Sequence, residues 1–419
     1  MAIDLRLVRA DPNRVASSMR QRGADIDIEA LAEMDRRHRR MVTDVENLRA
    51  ELNRAQKQIG KLPADQRQEA IARNKQRGVE LKQIEAEMAT AAEQLEAALR
   101  RVPNLVHPES PAGRKDAELR RVGAPREMDF APADHLTLGE GLDIIDVKRA
   151  AKVSGSRFAF LKGKGALLEL ALVRYVLDRL MAEGFVPVIP PVLVREEAMY
   201  GTGFFPTDEA QVYKTADDDL FLAGTSEVPI ASMHSGEIFA ARQLPLRYAG
   251  ISTCFRREAG TYGKDTRGII RVHQFDKVEM FSFCRPEESD AEHGRLLGLE
   301  EAIFQGLEIP YRVLDIAAGE LAAPNYRKFD IEAWLPGADR WLEVTSCSND
   351  WDFQARRLGV RFKQAESGTE LVHTLNGTAV AIGRAIVALL ENHQQADGSV
   401  TIPVALRPYT GWEAIAPGA

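Results

Sequence analysis

Cysteine is scarce in this sequence, and the patterns in which cysteine usually acts are missing. Among 419 residues there are three cysteines, Cys254, Cys284 and Cys347, which are far apart and in no C-x-x-C spacing. An odd number of dispersed thiols builds neither a disulfide framework nor a zinc knuckle within one chain. This usage fits a reducing compartment, and we expect a cytoplasmic protein.

Long apolar runs and the common nucleotide-binding motifs are also missing. No run approaches the roughly 18 uncharged apolar residues of a membrane span, and the start Met1-Ala2-Ile3-Asp4-Leu5-Arg6 has no apolar signal core, so no membrane association is expected. Neither G-x-x-x-x-G-K-[ST] nor G-x-G-x-x-G occurs, which excludes a P-loop and a Rossmann turn. The 8 histidines are dispersed, so a histidine-based metal site is not expected.

Charges of both signs are present, but they are unevenly distributed. The whole chain carries −7, whereas residues 29–102 contain 15 Lys and Arg against 13 Asp and Glu, which leaves −9 for the remainder. A slightly basic segment permits a polyanionic partner, although an ordinary solvated helix surface explains a surplus of two equally well. The length and the 45% of hydrophobic residues indicate two or three folded domains and exclude a disordered chain.

The basic segment carries apolar residues at alternating spacings of three and four. This 3.5-residue period keeps one seam of a helix against a partner helix. Gly60 and Pro63 interrupt the period, so we predict an antiparallel hairpin of two helices of about 33 residues, each about 50 Å long, over residues 28–102. A dimerisation coil is the alternative, which the short turn between segments of matching length disfavours. The two series are Leu31, Met34, His38, Met41, Val45, Leu48, Leu52, Ala55 and Ile59, and Leu81, Ile84, Met88, Ala91, Leu95, Ala98 and Val102.

Beyond this N-terminal domain, residues 1–102, the composition predicts a proline-rich linker over 103–135 and a second domain over 136–419. Residues 166–181 are predicted to form a helix that is apolar on most sides, followed by a strand that ends at Pro190. Both would need the cover that a subunit interface supplies. Strands are predicted over 246–256, 269–281, 328–334 and 340–346. Strands without regular helical crossovers indicate an α+β fold with an antiparallel sheet flanked by helices.

Two short segments carry charges where charge is unexpected. Arg384 is the only charged residue in the apolar stretch 378–390, which predicts a buried helix. A buried guanidinium needs an anion, and an internal carboxylate and a bound phosphate satisfy it equally well. Glu343-Val344-Thr345-Ser346 ends a strand with oxygen ligands suited to Mg²⁺ beside phosphates, although a surface acid is the commoner interpretation of such a position.

The predicted strand 269–281 has one polar face. Alternate residues of a strand share a face, which places Arg271, Phe275 and Glu279 in one row together with His273 and Lys277. A cation, a ring and a carboxylate in this order could hold a phosphate, a base and an ammonium or hydroxyl group. A solvated sheet face with cross-strand ion pairs is the alternative. The loop that joins this strand to the previous one, residues 258–268, is expected to be mobile and positively charged.

Three signatures follow one another along the chain: the apolar helix and strand ending at Pro190, the run Phe255-Arg256-Arg257-Glu258 with its loop and returning strand, and Gly383-Arg384 in its apolar stretch. On these residues the chain resembles class II aminoacyl-tRNA synthetases. Further runs make it similar to the bacterial type of seryl-tRNA synthetase over nearly its whole length. Those runs are Met199-Tyr200-Gly201-Thr202-Gly203, Thr225-Ser226-Glu227, His273-Gln274-Phe275-Asp276-Lys277-Val278-Glu279, Ser346-Cys347-Ser348-Asn349, Asp352-Phe353-Gln354-Ala355-Arg356-Arg357 and Leu375-Asn376-Gly377-Thr378.

The resemblance implies roles for individual residues. Catalysis is implied for Arg256, Arg384 and Glu343. Serine binding is implied for Thr225, Ser226, Glu227, Arg256, Glu279, Asn376 and Thr378. ATP binding is implied for Arg256, Arg257, Glu258, Arg271, Val272, Phe275, Glu343, Val344, Thr345, Ser346 and Arg384. Mg²⁺ binding is implied for Glu343 and Ser346, and adenine would stack on Phe275 opposite Arg384.

The resemblance also implies an activity and partners. Such an enzyme is a homodimeric, cytoplasmic ligase of protein biosynthesis that activates L-serine with ATP and Mg²⁺ and transfers it to tRNA(Ser), and to tRNA(Sec) where the host has one. The coiled-coil arm would bind tRNA, with Arg36, Arg37, Arg39 and Arg40 as candidate contacts. No zinc is expected, because the cysteine ligands of the zinc-dependent type have no match.

Departures from the family pattern are few. Thr345 and Thr378 stand where serine is also common, and Asp350 follows Asn349 where many relatives have a cysteine; we expect no effect on the chemistry. Two alternatives stay open. An amino acid:carrier-protein ligase would lack the long arm, and an inactive paralogue that binds RNA would have lost residues such as Arg256 or Glu279.

Overall fold

The computed structural model describes residues 3–260, 267–364 and 368–418, which form two compact units that divide after Pro103. The first unit is helical. Asp27 caps the start of a 32-residue helix by accepting a hydrogen bond from the Ala30 backbone N–H. The helices of this unit are α1 (Leu5–Ala10), α2 (Pro12–Arg22), α3 (Ile28–Ile59) and α4 (Ala64–Arg100).

Helices α3 and α4 form the predicted antiparallel hairpin. Arg49 on α3 is 2.7 Å from Glu85 on α4, and the Asn74 amide donates to Gln56 at 3.0 Å. The seam residues predicted from the 3.5-residue period are buried or partly buried within the hairpin. The intramolecular hairpin is therefore confirmed, and the seam needs no second chain to cover it.

The second unit combines a large sheet with helices. Its helices are α5 (His135–Gly141), α6 (Val147–Ser154), α7 (Lys164–Ala182), α8 (Glu196–Thr202), α9 (Glu227–Ser232), α10 (Ser289–Gly306), α11 (Phe353–Leu358), α12 (Ile382–His393) and α13 (Arg407–Thr410). Its strands are β1 (Ala117–Val122), β2 (Ile145–Asp146), β3 (Phe160–Leu161), β4 (Val186–Val188), β5 (Leu193–Arg195), β6 (Tyr213–Lys214), β7 (Leu220–Leu222), β8 (Ile238–Ala240), β9 (Leu246–Phe255), β10 (Gln274–Cys284), β11 (Tyr311–Asp315), β12 (Arg327–Leu335), β13 (Arg340–Asn349), β14 (Arg361–Lys363), β15 (Thr369–Leu371), β16 (His373–Ala381), β17 (Val400–Thr401) and β18 (Ala414–Ile415). In the part of the chain that the structure describes, no helix is both long and apolar enough to cross a membrane.

Eight strands form the main sheet in the order β1-β11-β12-β13-β16-β10-β9-β4, antiparallel except for the pair β4 and β9. Val278 and Met280 on β10 point to one face, where α7, α10 and α12 cover the largest apolar core. Residues of the other parity point to the opposite face, where Phe281 and Phe283 belong to a smaller apolar cluster. The fold is therefore α+β with an antiparallel-rich sheet, as the sequence predicted.

The prolines after Val102 do not make residues 103–135 a separate linker. The Asn104 amide donates to the carbonyl oxygens of Pro324 and Asp350 at 2.7 and 2.8 Å. Further on, β1 pairs with β11 at the edge of the main sheet. A proline-rich composition marks irregular backbone but does not show whether that backbone packs against a domain, and here residues 104–135 belong to the second unit.

The apolar stretch 378–390 is not one helix. Thr378 to Ala381 complete the buried central strand β16, and α12 begins at Ile382. A short apolar run in a buried strand has the same appearance as part of a buried helix, so periodicity alone did not separate the two.

The strand predicted over 269–281 begins later than expected. Residues 269–273 form turns, and β10 runs from Gln274 to Cys284. Arg271 and His273 therefore precede the strand, and the alternation holds only from Phe275 onward. Most of the loop 258–268 that was expected to be mobile lies outside the described residues.

Candidate active site

A cleft of about 220 Å³ opens on the face of the sheet that α7, α10 and α12 leave uncovered. Strands β10, β13 and β16 form its floor, and the turn before β10 and the start of α12 form one wall. It gathers most of the residues that the sequence predicted for ATP and serine. Those that line it are Thr225, Glu227, Arg256, Glu258, Arg271, Val272, Phe275, Glu279, Glu343, Val344, Thr345, Ser346, Asn376, Thr378 and Arg384.

One end of the cleft is built around the buried carboxylate of Glu279. Lys277, on the same face of β10, forms an ion pair with Glu279 and donates to the Thr225 hydroxyl at 2.8 Å. Thr225 Oγ1 also lies 3.4 Å from Glu279 Oε2. Thr378 faces Glu279 across the pair of strands β10 and β16. A carboxylate, an ammonium group and two hydroxyls thus meet in a space that excludes most water.

A second carboxyl group, that of Glu227, lies at the same end. Its Oε1 accepts hydrogen bonds from the Gln354 amide at 2.7 Å and from the Asn376 amide at 3.1 Å. Burial raises the pKa of Glu227, and the charges of Asp350 and Glu279 raise it further. We infer that this side chain carries a proton at neutral pH and can donate a hydrogen bond into the cleft.

A close approach of backbone to side chain positions the Thr225 to Glu227 segment. A Cβ atom at Gly250 on β9 would lie 2.4 Å from Ile230 Cδ1 and 2.6 Å from Ser226 Oγ. Glycine at this position lets α9 lie directly on β9, and Gly250 is the register partner of Glu279. The lack of a side chain here therefore keeps Thr225 and Glu227 next to Glu279.

Two predicted site residues do not line the cleft. The Ser226 hydroxyl is fully buried and donates to the Gly250 carbonyl at 3.4 Å, so its side chain fastens α9 to the sheet. Arg257 is exposed and lies beside Tyr213 and Phe221 in a separate surface depression. Neighbouring residues of an extended segment point to opposite sides, which is why Arg256 and Arg257 diverge.

Arg256 lies between the two ends of the cleft. Its Nε donates to the Gly224 carbonyl at 3.2 Å, and its guanidinium lies 5.3 Å from the centre of the Phe275 ring. The backbone hydrogen bond and the ring contact together hold the guanidinium in place. Stacking of an adenine on Phe275 opposite Arg384 stays a prediction; in this structure Arg256 is the cation that contacts the ring.

The other end of the cleft contains cations that are paired with carboxylates. Arg271 donates to Glu258 at 2.5 Å, and Arg384 donates to the carbonyl and carboxylate oxygens of Glu343 at 2.7 and 3.0 Å. Partial burial acts to raise the pKa of Glu343, but the positive charges of Arg384 and Lys328 outweigh it and hold this pKa below its ordinary value. Glu343 is therefore ionised at neutral pH.

Arg384 is not the buried guanidinium that the apolar stretch predicted. It sits in the first turn of α12, its side chain is 25% exposed, and its partner Glu343 is 46% exposed. The helix dipole disfavours a cation in the first turn of a helix, so Arg384 does not stabilise α12 through the dipole. The ion pair is solvated and open to the cleft.

Sequence reasoning omitted two lysines that line the cleft, Lys277 and Lys328. The parity of β10 already placed Lys277 on the polar face, and that signal would have been sufficient. Lys328 lies on β12 and pairs with Asp330 at 3.0 Å. Nothing in the local pattern separates it from an exposed strand lysine.

The four arginines predicted to contact RNA lie on α3 in the helical unit. Arg36 and Arg40 pair with Glu33 at 2.8 Å each, and Arg39 lies 4.0 Å from Asp35. Arg37 makes no ion pair with any other described residue. The pairs with Glu33 are exposed, and such pairs contribute roughly 0–1 kcal/mol, so they leave Arg36 and Arg40 available to a phosphate backbone.

Within the described ranges no group of three or more His, Cys, Asp and Glu side chains is placed to hold a metal ion. Glu343 and Ser346, the residues implied for Mg²⁺, supply one carboxylate and one hydroxyl. This donor set fits Mg²⁺, which binds through one or two protein carboxylates and takes its remaining ligands from phosphates and water. The low pKa of Glu343 keeps the carboxylate charged for this purpose.

Two family models match the chain. The model of the tRNA synthetase class II core domain (G, H, P, S and T) matches residues 211–393, and that of the seryl-tRNA synthetase N-terminal domain matches residues 2–106. The second match spans the unit that contains the helical hairpin, and the first contains most of the cleft.

Individual proteins are similar over the whole chain. A serine–tRNA ligase from Nocardia farcinica is 51% identical with 100% of both chains covered, and one from Acidothermus cellulolyticus is 52% identical with 99% of each covered. The structure of a seryl-tRNA synthetase from Pyrococcus horikoshii complexed with ATP matches with a TM-score of 0.94 at 40% identity, covering 100% of both chains. A cytoplasmic serine–tRNA ligase from Naegleria fowleri in complex with AMP matches with a TM-score of 0.90 at 32% identity, covering 99% of each.

Proposed function

The chain belongs to the seryl-tRNA synthetase family, and we propose that its cleft activates L-serine with ATP to seryl-adenylate and then transfers the seryl group to tRNA(Ser). One observation carries the assignment of the two substrates. A single cleft joins an amino-acid end, built around Glu279, to a nucleotide end, built around Arg271, Glu343 and Arg384, with Arg256 between them. Activation needs this arrangement, because a carboxylate and an α-phosphate must meet.

The first step is an in-line displacement at phosphorus. A carboxylate oxygen of serine forms a bond to the α-phosphorus of ATP, and pyrophosphate leaves with the electrons of the broken P–O bond. Arg256 stands where the two anions meet and would stabilise the charge that builds up on the transferring group. In the second step a ribose hydroxyl of tRNA attacks the acyl carbon and AMP leaves.

The amino-acid end accounts for selection of serine. Glu279 and Thr225 would bind the ammonium group, and Glu279 and Thr378 the hydroxyl group. A buried site that is built to hydrogen-bond a hydroxyl rejects alanine because its own polar groups would go unpaired. The experiment that tests the assignment is ATP–pyrophosphate exchange with each of the twenty amino acids; exchange that does not depend on serine would contradict it.

We also propose that Mg²⁺ accompanies ATP, held by Glu343 and Ser346. The ion would neutralise phosphate charge when bound. Glu343, which pairs with the Arg384 guanidinium in this structure, would then bind the ion, and Arg384 would be available to a phosphate group of ATP. The ion pairs Arg384–Glu343 and Arg271–Glu258 thus keep the nucleotide end assembled before ATP arrives.

Replacing Arg384 by alanine should weaken use of ATP without unfolding the chain. We expect the ATP KM in pyrophosphate exchange to rise about ten- to thirty-fold, because one charge-assisted contact to a phosphate is lost. The free energy of unfolding should change by less than about 1 kcal/mol, because the ion pair with Glu343 is solvated. Exchange kinetics and thermal melts measure the two quantities.

Arg407→Ala provides a matched control for this variant. Its guanidinium is 38% exposed and binds the Ile402 carbonyl and the Glu413 carboxylate outside the cleft. The control should leave the ATP KM unchanged. A large loss of stability in Arg384→Ala with an ordinary ATP KM would show that Arg384 has a structural role instead.

The RNA partner would be tRNA(Ser), bound by the hairpin of α3 and α4. The hairpin is long, carries a surplus of positive charge, and matches a family model named for the seryl-tRNA synthetase N-terminal domain. A phosphate backbone lying along such a hairpin would be recognised by shape and charge. The same surface would accept tRNA(Sec) in a host that has one.

We further propose a homodimer, formed through the apolar helix α7 and the strand β4. Leu170 on α7 is 65% exposed and Ile189 after β4 is 83% exposed, and Leu167, Met181 and Val186 add to this surface. Large apolar side chains exposed together on one helix and the strand that follows it are typical of an interface between protein chains. It is the same helix and strand that the sequence predicted to need cover from a second subunit.

Replacing Leu170 by aspartate should shift the protein from dimer to monomer. A charge placed in the centre of an apolar interface loses its hydration without gaining a partner, and two-fold symmetry applies the cost twice. Sedimentation at micromolar concentration measures the change. Ile238→Asp, at an exposed apolar residue on β8, is the control and should sediment like the unmodified protein; equal mass for all three proteins would contradict this interface.

Neither alternative function is favoured by an observation. An amino acid:carrier-protein ligase would not need helices of 32 and 37 residues in its N-terminal unit. An inactive paralogue would have lost charged residues of the cleft, and Arg256, Glu279, Glu343 and Arg384 all line it. We place the enzyme in the cytoplasm, a location with which the three free, buried cysteines are compatible.

A further inference from the structure

Asp350 is a carboxylic acid with no exposed surface, directly behind the amino-acid end of the cleft. Asp350 directly follows β13, and the next residue, Trp351, has a positive φ of 53°. Hydrogen bonds hold Asp350 on several sides. Its backbone N–H donates to the Thr374 carbonyl at 2.9 Å, and its Oδ1 accepts from the Asn325 amide at 2.8 Å. A fully buried carboxyl group is costly, so its contacts indicate what it does.

The remaining oxygen of Asp350 reaches a residue of the cleft. Its Oδ2 accepts from Asn376 Nδ2 at 3.0 Å, and the same nitrogen donates to Glu227 Oε1 at 3.1 Å. The two N–H groups of the Asn376 amide are therefore each bound by a carboxyl group, one of Glu227 and one of Asp350. This fixes which way the Asn376 amide faces and leaves its oxygen for a hydrogen-bond donor.

Asp350 also acts on Glu227 through its charge, together with the other charged and polar groups that face Glu227. From β10 come the carboxylate of Glu279 and the ammonium of Lys277, which pair with each other. From α11 comes the neutral amide of Gln354, and from α8 the Thr202 carbonyl accepts from that amide at 3.3 Å. Of the arginines of α11, Arg356 pairs with Asp352, and Arg357 donates to the carbonyls of Tyr200 and Phe205.

Three buried acids, Glu227, Glu279 and Asp350, thus lie close together at this end of the cleft, and Lys277 pairs with Glu279. Burial raises the pKa of Glu227 most, and the negative charge of Asp350 raises it further. The position where a cysteine is common among relatives is thus coupled to the cleft in this chain, although the sequence led us to expect no chemical effect there.

We propose that Asp350 is a positioning residue of the amino-acid pocket, which sets through Asn376 how Asn376 and Glu227 are presented to serine. The proposal rests on the proposed function, because it needs serine as the occupant of the pocket. Asp350 does not touch the substrate; it acts through a side chain that does. Networks of this kind act on binding by fixing the orientation and protonation of the groups they hold, so we expect the distant nucleotide end to be unaffected.

The test is Asp350→Asn in the full-length chain, assayed by serine-dependent ATP–pyrophosphate exchange across the neutral pH range. The NH₂ group of the new asparagine would face the NH₂ group of Asn325 or Asn376, so one of the two hydrogen bonds would be lost. We therefore expect the serine KM to rise about five- to ten-fold and the ATP KM to change less than about two-fold. Loss of the charge lowers the pKa of Glu227, so the midpoint of the serine KM profile should move to lower pH. A structural role alone would not move this midpoint.

Two further variants keep the outcome decisive. Asp352→Asn makes the same change two residues away, in a carboxyl group that pairs with Arg356, and its pH profile should match that of the unmodified protein. Asp350→Cys removes the charge with a smaller side chain, and its midpoint should move in the same direction even if Asp350→Asn fails to fold. Profiles of Asp350→Asn and Asp350→Cys that coincide with the unmodified profile would overturn the proposal. Absence of serine-dependent exchange in the unmodified protein would instead overturn the proposed function.

Discussion

Shortening the helical hairpin is expected to lower tRNA charging by about two to three orders of magnitude while serine-dependent pyrophosphate exchange stays within about two-fold. The change removes residues 46–87 and joins Val45 to Met88 through a short Gly/Ser bridge. Arg49 pairs with Glu85 across the hairpin, so Val45 and Met88 face each other one turn away and the bridge causes little strain. The removed part holds nine Lys and Arg against seven Asp and Glu.

The design keeps the base of the hairpin, where α1 and α2 pack on α3. Arg9 on α1 donates to Asp35 on α3 at 2.7 Å, and Val15 and Met19 on α2 are buried, so excision of the whole arm would expose apolar surface. The exchange assay, which needs no tRNA, is the internal control for folding of the cleft. Normal charging by the shortened protein would mean that the distal hairpin does not bind tRNA.

The arginines at the base of the hairpin can be tested separately. Replacing Arg36, Arg37, Arg39 and Arg40 by glutamine should weaken tRNA binding less than shortening does and should flatten its dependence on salt, because fewer counterions are released. Lysine at the same four positions is the matched control, since it keeps the charge and should keep the salt dependence. Equal salt dependence in both variants would exclude these residues as phosphate contacts.

Regular features of this chain were predictable, and the reason is that they repeat. The seam of α3 and α4 continues over many turns, so one misplaced residue such as His38 does not obscure it. Phe275, Lys277 and Glu279 on β10 were assigned to one face because the side chains of a strand alternate strictly between its two faces. In both cases the pattern itself contains the geometry.

Features that depend on where an element begins were not predictable. The apolar stretch 378–390 gave no sign that the chain passes from β16 to α12 at Ile382, and this boundary puts Thr378 on the floor of the cleft and Arg384 at its edge. The pairing of β10 with β16 also shifts register between Val278 and Glu279, which no sequence period records. The sequence showed Asp350 as a departure from the family pattern but not its contacts, since its partners Asn325 and Asn376 come from distant parts of the chain.

Replacing Glu279 by glutamine is expected to lower kcat/KM for serine about a hundred-fold, or about 2.8 kcal/mol at 1.4 kcal/mol per factor of ten, with the ATP KM within about two-fold of normal. Glutamine keeps the shape of the side chain but not its charge. The Glu279 side chain is fully enclosed at the amino-acid end, where a charge-assisted hydrogen bond to the ammonium group of serine is not weakened by water. Pyrophosphate exchange at varied serine and ATP measures both constants.

The ion pair with Lys277 complicates this variant, because glutamine leaves a buried ammonium group without its carboxylate. Glu292→Gln is the matched control: Glu292 is also buried and pairs with Arg247 at 2.6 Å, but it lies outside the cleft, so it should lose stability and keep both KM values. The double variant Lys277→Met, Glu279→Gln removes both charges and should regain stability without regaining serine use. If the double variant used serine normally, or if Glu279→Gln weakened ATP and serine equally, the charge of Glu279 would serve the fold and not the substrate.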